Sequence, residues 1–171
     1  MSINPIVASF WAGHSGDLYV LRVIGPGICR ESGRFENLLM DVEVRGPARL
    51  IIDLSECPRM DSTFAGAFLR LADRAEKSGF HVLISGAREQ VHELLDTLCL
   101  DSFFEIVDAP NVGTLQSLDL EDRNMPREQI MELSLDGHER LAALNEANAK
   151  RFEALLATLR ASIPGKVAGS D

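Results

Sequence analysis

The sequence predicts an α/β fold, a mixed β-sheet with helices mainly on one face, followed by a C-terminal helical extension. Three observations predict it. Leu50, Ile51, Ile52 and Leu54 form an apolar run of strand length, rich in β-branched residues. Pro58 ends that run, because it offers no N–H to a ladder and restricts the residue before it. Short runs of this kind alternate with helix-period stripes as far as residue 107, and beyond residue 125 the apolar residues follow helical spacing.

Taken in order, residues 3–11 and 18–24 are two β-rich runs separated by Ala12-Gly13-His14-Ser15-Gly16-Asp17. In the second, Leu18, Val20, Arg22 and Ile24 alternate with Tyr19, Leu21 and Val23, so both faces are largely apolar. The glycine-bearing connector suggests a hairpin and leaves the turn type open. Gly25-Pro26-Gly27 then punctuates the chain. Neither GxxxxGK[ST] nor GxGxxG follows a strand, so these read as turn glycines and not as a phosphate cradle. Residues 32–44 form a first amphipathic helix, with Phe35, Leu38, Leu39 and Val42 at i, i+3, i+4 and i+7, closed by Gly46-Pro47. After the Leu50 strand, Asp61, Ser62 and Thr63 stand immediately before Phe64, Phe68, Leu71 and Ala75, the stripe of a second helix over about 63–78. Arg70, Asp73, Arg74, Glu76 and Lys77 lie largely off that stripe, and Gly79 suits the left-handed position at its end. A strand at 81–84, a third helix at about 88–98 with Val91, Leu94, Leu95 and Leu98 inward, and a strand at 103–107 complete a ββαβαβαβ order. Its parallel crossovers should be right-handed.

This assigns residues 1–108 to one domain, 109–124 to a linker wrapping it, 125–163 to the helical extension and 164–171 to a flexible tail. Asn124-Met125-Pro126 resembles a helix start. Ile130, Met131, Leu133, Leu135, Leu141 and Leu144 mark one helix, and Phe152, Leu155, Leu156 and Leu159 mark another or its continuation. Asn145 suits the cap of a second helix and hence an αα-hairpin, while Gly137 is an alternative break. Such stripes are expected to dock on their own domain or on a second copy, since an isolated hairpin would leave them in water. The C-terminal helices thus offer a route to a homodimer.

A length of 171 residues, 46% hydrophobic and 25% charged, is globular composition with room for a real core. The formal net charge of −9 argues against a nucleic-acid surface, which needs a basic stripe, and against anionic lipid. No apolar run approaches membrane-spanning length and the first residues lack a secretory pattern, so the expected location is cytoplasmic. Cys29, Cys57 and Cys99 are odd in number and far apart, and His14, His81, His92 and His138 make no HxxxH or HExxH spacing. Free, mostly buried thiols are expected, with no metal and no cofactor.

By itself Asp61-Ser62-Thr63 is an N-cap, whose side-chain oxygens satisfy free N–H groups of the first turn. Its surroundings add to that. An apolar strand ending in Asp53-Leu54-Ser55, a turn, then Asp61-Ser62-Thr63 with Gly66 at a helix start resembles the STAS domain, most closely the bacterial anti-sigma factor antagonists. Phe64 and Ala65 replace the usual Gly-Leu, a departure that recurs in a branch with Asp-Ser-Thr-Phe and a C-terminal helical extension. The likeness runs from about residue 17 to 107, with 94–106 echoing the family's closing helix and strand. Cys99 stands where the family usually carries glycine, so the turn there is either strained or of another geometry.

The resemblance implies a protein-binding module and not an enzyme. Ser62 would accept a phosphoryl group, with Thr63 secondary. The partner implied is a histidine-kinase-like serine kinase that doubles as an anti-sigma factor. Unphosphorylated, the chain would sequester that partner and so regulate transcription. Asp61 would orient or flank the hydroxyl, and Asp61, Ser62, Thr63, Phe64 and Asp53 make the implied partner-binding set. Phe64 reads first as a core residue of the stripe and second as an exposed anchor. The alternative is a STAS scaffold or accessory subunit of a signalling or transporter complex without a serine switch, which bulky Phe64 favours. Asp53, Asp61, Ser62 and His81 do not assemble into a catalytic set: Asp53 at a strand end suits a turn, and His81 has no paired carboxylate.

Overall fold

The computed structural model describes residues 7–108, 110, 113–120 and 124–163. The expected start of the first strand at residues 3–6 and the expected tail at 164–171 lie outside them. The sheet has six strands in the order β5-β4-β3-β2-β1-β6: β1 (Ser9–Ser15), β2 (Leu18–Ile24), β3 (Arg49–Glu56), β4 (His81–Ser85), β5 (Glu105–Val107) and β6 (Gln116–Leu118). Pairs β2–β3, β3–β4 and β4–β5 are parallel, whereas β1 is antiparallel to both β2 and β6.

Two expectations are corrected here. Strand β1 runs through the stretch read as a connector, because Ala12 to Ser15 continue the ladder opposite Leu18 to Leu21. The turn is left with only Gly16 and Asp17, and Gly16 takes φ 59°, the positive value a two-residue hairpin turn demands. Strand β6 lies inside the expected linker. Gln116-Ser117-Leu118 carries no apolar run, and what makes it a strand is the open edge of β1.

The helices are α1 (Cys29–Val44), α2 (Ser62–Ser78), α3 (Glu89–Thr97), α4 (Arg127–Leu144) and α5 (Glu146–Ser162). Helix α2 ends on Gly79 in the left-handed conformation. The same turn follows α3, where Cys99 at φ 61° fills the role glycine usually takes. Its closure is intact, with Leu100 N–H donating to the Leu95 carbonyl at 2.8 Å. Gly137 does not interrupt α4. The break falls at Asn145, whose side chain accepts from Asn148 N–H at 2.8 Å and starts α5.

Leu21, Val23, Leu50, Ile52, Leu54 and Ile84 from the sheet meet a cluster of rings from α1 and α2. Phe35 stacks on Phe64 at 4.5 Å and on Phe10 at 5.7 Å, and Phe68 meets Phe104 edge-on at 5.9 Å. Helix α4 then packs on α1 and α2, and α5 packs on α4. Leu135, Leu141, Phe152 and Leu156 are buried by this arrangement, so the extension docks on its own domain. No described helix is long and apolar enough to cross a membrane.

Candidate functional site

The site is built where β2 and β3 end. Gly25 N–H donates to the Glu56 carbonyl at 2.9 Å, Gly27 N–H to the Arg59 carbonyl at 3.0 Å, and Asp61 N–H back to the Gly27 carbonyl at 2.9 Å. These bonds hold the two loops together and bring the N-termini of α1 and α2 side by side. Asp61 serves both. Its Oδ1 accepts from Phe64 N–H at 2.9 Å, capping α2, and its Oδ2 accepts from Cys29 N–H at 2.7 Å, the start of α1. Ile28, at the cap position of α1, has no side-chain cap of its own. A carboxylate at two helix starts also opposes both positive dipole ends. This explains why α1 begins at Cys29 and not at residue 32. Gly27 contributes more than a turn, because a Cβ there would stand 2.8 Å from the Phe64 ring.

Helix α2 carries two stripes. Phe64, Phe68, Leu71 and Ala75 enter the core. The second stripe, Ser62, Thr63, Gly66, Arg70 and Asp73, faces α4, with Thr63, Gly66 and Arg70 buried and Ser62 and Asp73 half-exposed at its ends. Ser62 Oγ lies 2.8 Å from His138 Nε2, and Thr63 Oγ1 lies 3.2 Å from Ser134 Oγ. His138 Nδ1 is 2.7 Å from the Ser134 carbonyl, which can only accept, so Nδ1 carries the proton. Nε2 of the neutral ring is then an acceptor, and the Ser62 hydroxyl donates to it. Burial pushes the His138 pKa below its ordinary 6.5, against the Ser134 carbonyl and the Asp61 charge, which pull it upward. The ring is 1% exposed and also meets Phe152 edge-on at 4.9 Å.

One turn further, α2 and α4 meet backbone to backbone: a Cβ on Gly66 would stand 2.8 Å from Gly137 Cα. Arg70 then joins three helices. Its Nε donates to Glu36 at 3.1 Å, and its Nη1 to the Leu133 carbonyl at 3.1 Å and to Asp136 at 3.2 Å. Asp73 pairs with Arg140 beyond it.

The predicted residues are thus split. Asp61, Ser62 and Thr63 stand together at the first turn of α2, with Ser62 half-buried and Thr63 buried. Phe64 and Asp53 are both 0% exposed, which corrects their place in the partner-binding set: neither presents surface in this structure. Phe64 is the core residue of its stripe. The Asp53 carboxylate accepts from Arg22 Nε at 2.7 Å and from Ser55 N–H at 2.9 Å, a strand-end turn. His81 is exposed at the start of β4.

Ser134, Gly137 and His138 were not singled out as site residues by the sequence. Their signal is small and polar residues set among the buried Leu135 and Leu141 of α4. The Ser62–His138 bond is of nucleophile–base type. The main-chain carbonyl of Ser134 orients the ring. All three cysteines are free thiols, Cys57 buried and Cys29 and Cys99 half-buried. Burial raises the pKa of Cys57, and burial with the Asp61 charge raises that of Cys29.

A parallel-cored mixed sheet whose third strand leads through a turn to an Asp-Ser-Thr helix start defines a class. The family model for the STAS domain matches residues 12–113, and the chain belongs to that family. Its fold is also similar to solved structures. A crystal structure of a putative anti-sigma factor antagonist from Thermotoga maritima superposes with a TM-score of 0.55 at 19% identity, covering 59% of this chain and 86% of that one. The anti-sigma factor antagonist SpoIIAA in its unphosphorylated form gives 0.50 at 15% identity, covering 60% and 89%. No curated protein matches the sequence. Helices α4 and α5, with Ser134, Gly137 and His138, lie beyond the residues that match the family.

Proposed function

We propose that this chain is a phosphorylation-switched protein-binding module of the anti-sigma factor antagonist type, and not itself an enzyme. Ser62 accepts a phosphoryl group from a histidine-kinase-like serine kinase that doubles as an anti-sigma factor, with Thr63 the secondary acceptor. The unmodified chain sequesters that cytoplasmic partner and so regulates transcription. One observation carries the reading: Ser62 opens α2 on a STAS fold, directly after the Asp61 cap and only half-buried.

The switch follows from electrostatics. A phosphoryl group adds roughly −1.5 to −2 charge. Within the domain, the helix start favours that charge by about 0.3–1 kcal/mol, and the adjacent Asp61 opposes it. At an interface a partner must desolvate or repel the dianion, at a cost of several kcal/mol, enough to release a moderate-affinity complex. Ser62→Ala is therefore expected to bind the kinase partner constitutively and Ser62→Asp to bind it poorly, with the sheet and its core in both folded like the parent. Equal affinities, or phosphate mapped by mass spectrometry only outside Ser62 and Thr63, would reject the switch. The cover of α4 over this stripe favours a second reading, a STAS scaffold or accessory subunit whose Ser62 hydroxyl is purely structural. Identical partner binding by parent, alanine and aspartate chains would support it.

A further inference from the structure

We infer that the α4–α5 hairpin is an intramolecular cap on Ser62: docked, it competes with the kinase partner for the first turn of α2, and a phosphoryl group on Ser62 disfavours docking. The unmodified chain binds that partner through its undocked fraction. The inference rests on the reading of Ser62 as the modified residue and adds a layer of regulation to it.

The cap is fitted to the switch residue by residue. His138 takes the Ser62 proton in a hydrogen bond, Ser134 takes Thr63, and Gly137 lets the α4 backbone lie against Gly66. The hairpin also grips the far side of the domain. Asn148 Nδ2 donates to the Leu98 carbonyl at 3.1 Å and Arg151 Nη1 to the Thr97 carbonyl at 3.1 Å, so α5 covers the free carbonyls at the end of α3. A kinase or partner that grips the first turn of α2 needs the surface α4 already occupies.

Phosphorylation undoes the fit by chemistry and not only by size. Transfer from a nucleoside triphosphate forms an Oγ–P bond, breaks the bond from that phosphorus to the bridging oxygen of the departing nucleoside diphosphate, and passes the Oγ proton by way of the kinase to solvent. The hydroxyl donor is gone, and the new phosphoryl oxygens only accept. Nε2 of the neutral His138 ring also only accepts while Nδ1 holds its proton against Ser134. The phosphoryl dianion then faces an acceptor nitrogen, beside the Asp61 carboxylate, in a part-buried contact. A ring that took up a proton to pair with the phosphate would instead keep α4 docked, the outcome that unchanged protection would report. The domain keeps its core, because Phe64, Phe68 and Leu71 sit on the opposite stripe of α2.

Full-length chain carrying phosphoserine at position 62, made by site-specific incorporation, tests this without the kinase. Amide hydrogen exchange is compared with the unmodified chain. Amides of residues 133–141 are expected to exchange at least about tenfold faster, since an unpaired buried charge outweighs the hydrogen bond it replaces, with β2, β3 and β4 unchanged. Unchanged protection in α4 overturns the inference. So does joint loss of protection in α4 and the sheet, which would show that the hairpin is not a separable element. Gly137→Leu, which leaves Ser62 intact, is expected to release the same amides with the sheet protected. In a Ser62→Cys background the same leucine is expected to speed alkylation at position 62 by roughly the same factor, and an unchanged alkylation rate would overturn the exclusion. The switch reading fails separately: a chain whose hairpin responds to phosphoserine but whose cellular phosphate maps elsewhere keeps the coupling and loses the switch.

Discussion

Asp61 carries more structure than a single N-cap. One carboxylate serves two helix starts drawn from segments 32 residues apart in the chain. An N-cap is worth about 0.5–2 kcal/mol, so Asp61→Ala is expected to destabilise the fold by roughly 1–3 kcal/mol, more than one cap alone. Urea unfolding measures it, and a loss of no more than a few tenths of a kcal/mol would show that neither Asp61 bond stabilises its helix. Cys99 gives the opposite sign. Its left-handed backbone costs a side-chain-bearing residue about 1–2 kcal/mol relative to glycine. Against this stands a hydrogen bond from Asn145 Nδ2 to its sulfur at 3.1 Å. Cys99→Gly is expected to raise the unfolding midpoint slightly, and a clear fall would mean that the thiol's packing outweighs the backbone term. His138 links the site to pH. Burial lowers its pKa in the folded chain, so below the ordinary 6.5 the unfolded state binds more protons than the folded one. Its contribution is complete above that pH and is lost as the pH falls. Between pH 7.5 and 5.5 the parent should therefore lose more stability than His138→Gln, which does not titrate. Equal losses would remove His138 from the acid response.

At the scale of elements, the crossing of α2 and α4 depends on having no side chain on either backbone. In an exposed helix, Gly→Ala gains about 1 kcal/mol of propensity. At Gly66 the added methyl meets Gly137 Cα at 2.8 Å, where only movement of α4 can make room. Overpacking of this kind costs typically 1–3 kcal/mol, so Gly66→Ala is expected to be neutral to destabilising despite the propensity gain. Equilibrium unfolding of the variant checks it, and net stabilisation would show that α4 yields freely. Arg70 belongs to the same contact. The sequence marks it as a polar residue off the apolar stripe, yet it is 8% exposed because α4 closes over it. Its bonds to Glu36, Leu133 and Asp136 show how a polar stripe can be buried without leaving the charge unpaired.

For the whole molecule, α4 and α5 bury Leu135, Leu141, Phe152 and Leu156, each worth about 1.5–3 kcal/mol before ordering costs. A chain ending at residue 122 is expected to melt lower than the full chain or to self-associate through the uncovered face of α2. Matching melting temperature and sedimentation would show that the hairpin is energetically idle. Leu155, at 38% exposed, stands on the outer side of α5 and does not contribute.

The sequence by itself determined the strand and helix order through β5, the Gly79 boundary, and the helix start at Asp61-Ser62-Thr63, and it offered Asn145 beside Gly137 for the break in the extension. In each case the cause is local: apolar periodicity, a left-handed glycine, or a side chain that caps its own turn. Tertiary structure decided the rest. Strand β6 forms because β1 has an open edge, and α1 starts early because a carboxylate from the next loop reaches it. The second stripe of α2 reads as solvent-facing, since nothing within α2 records a helix that begins some fifty residues after it. His138 meets Ser62 across 76 residues, a separation no local pattern spans. The residues that would act are legible in the motif, and what covers them is set by the packing of α4 alone.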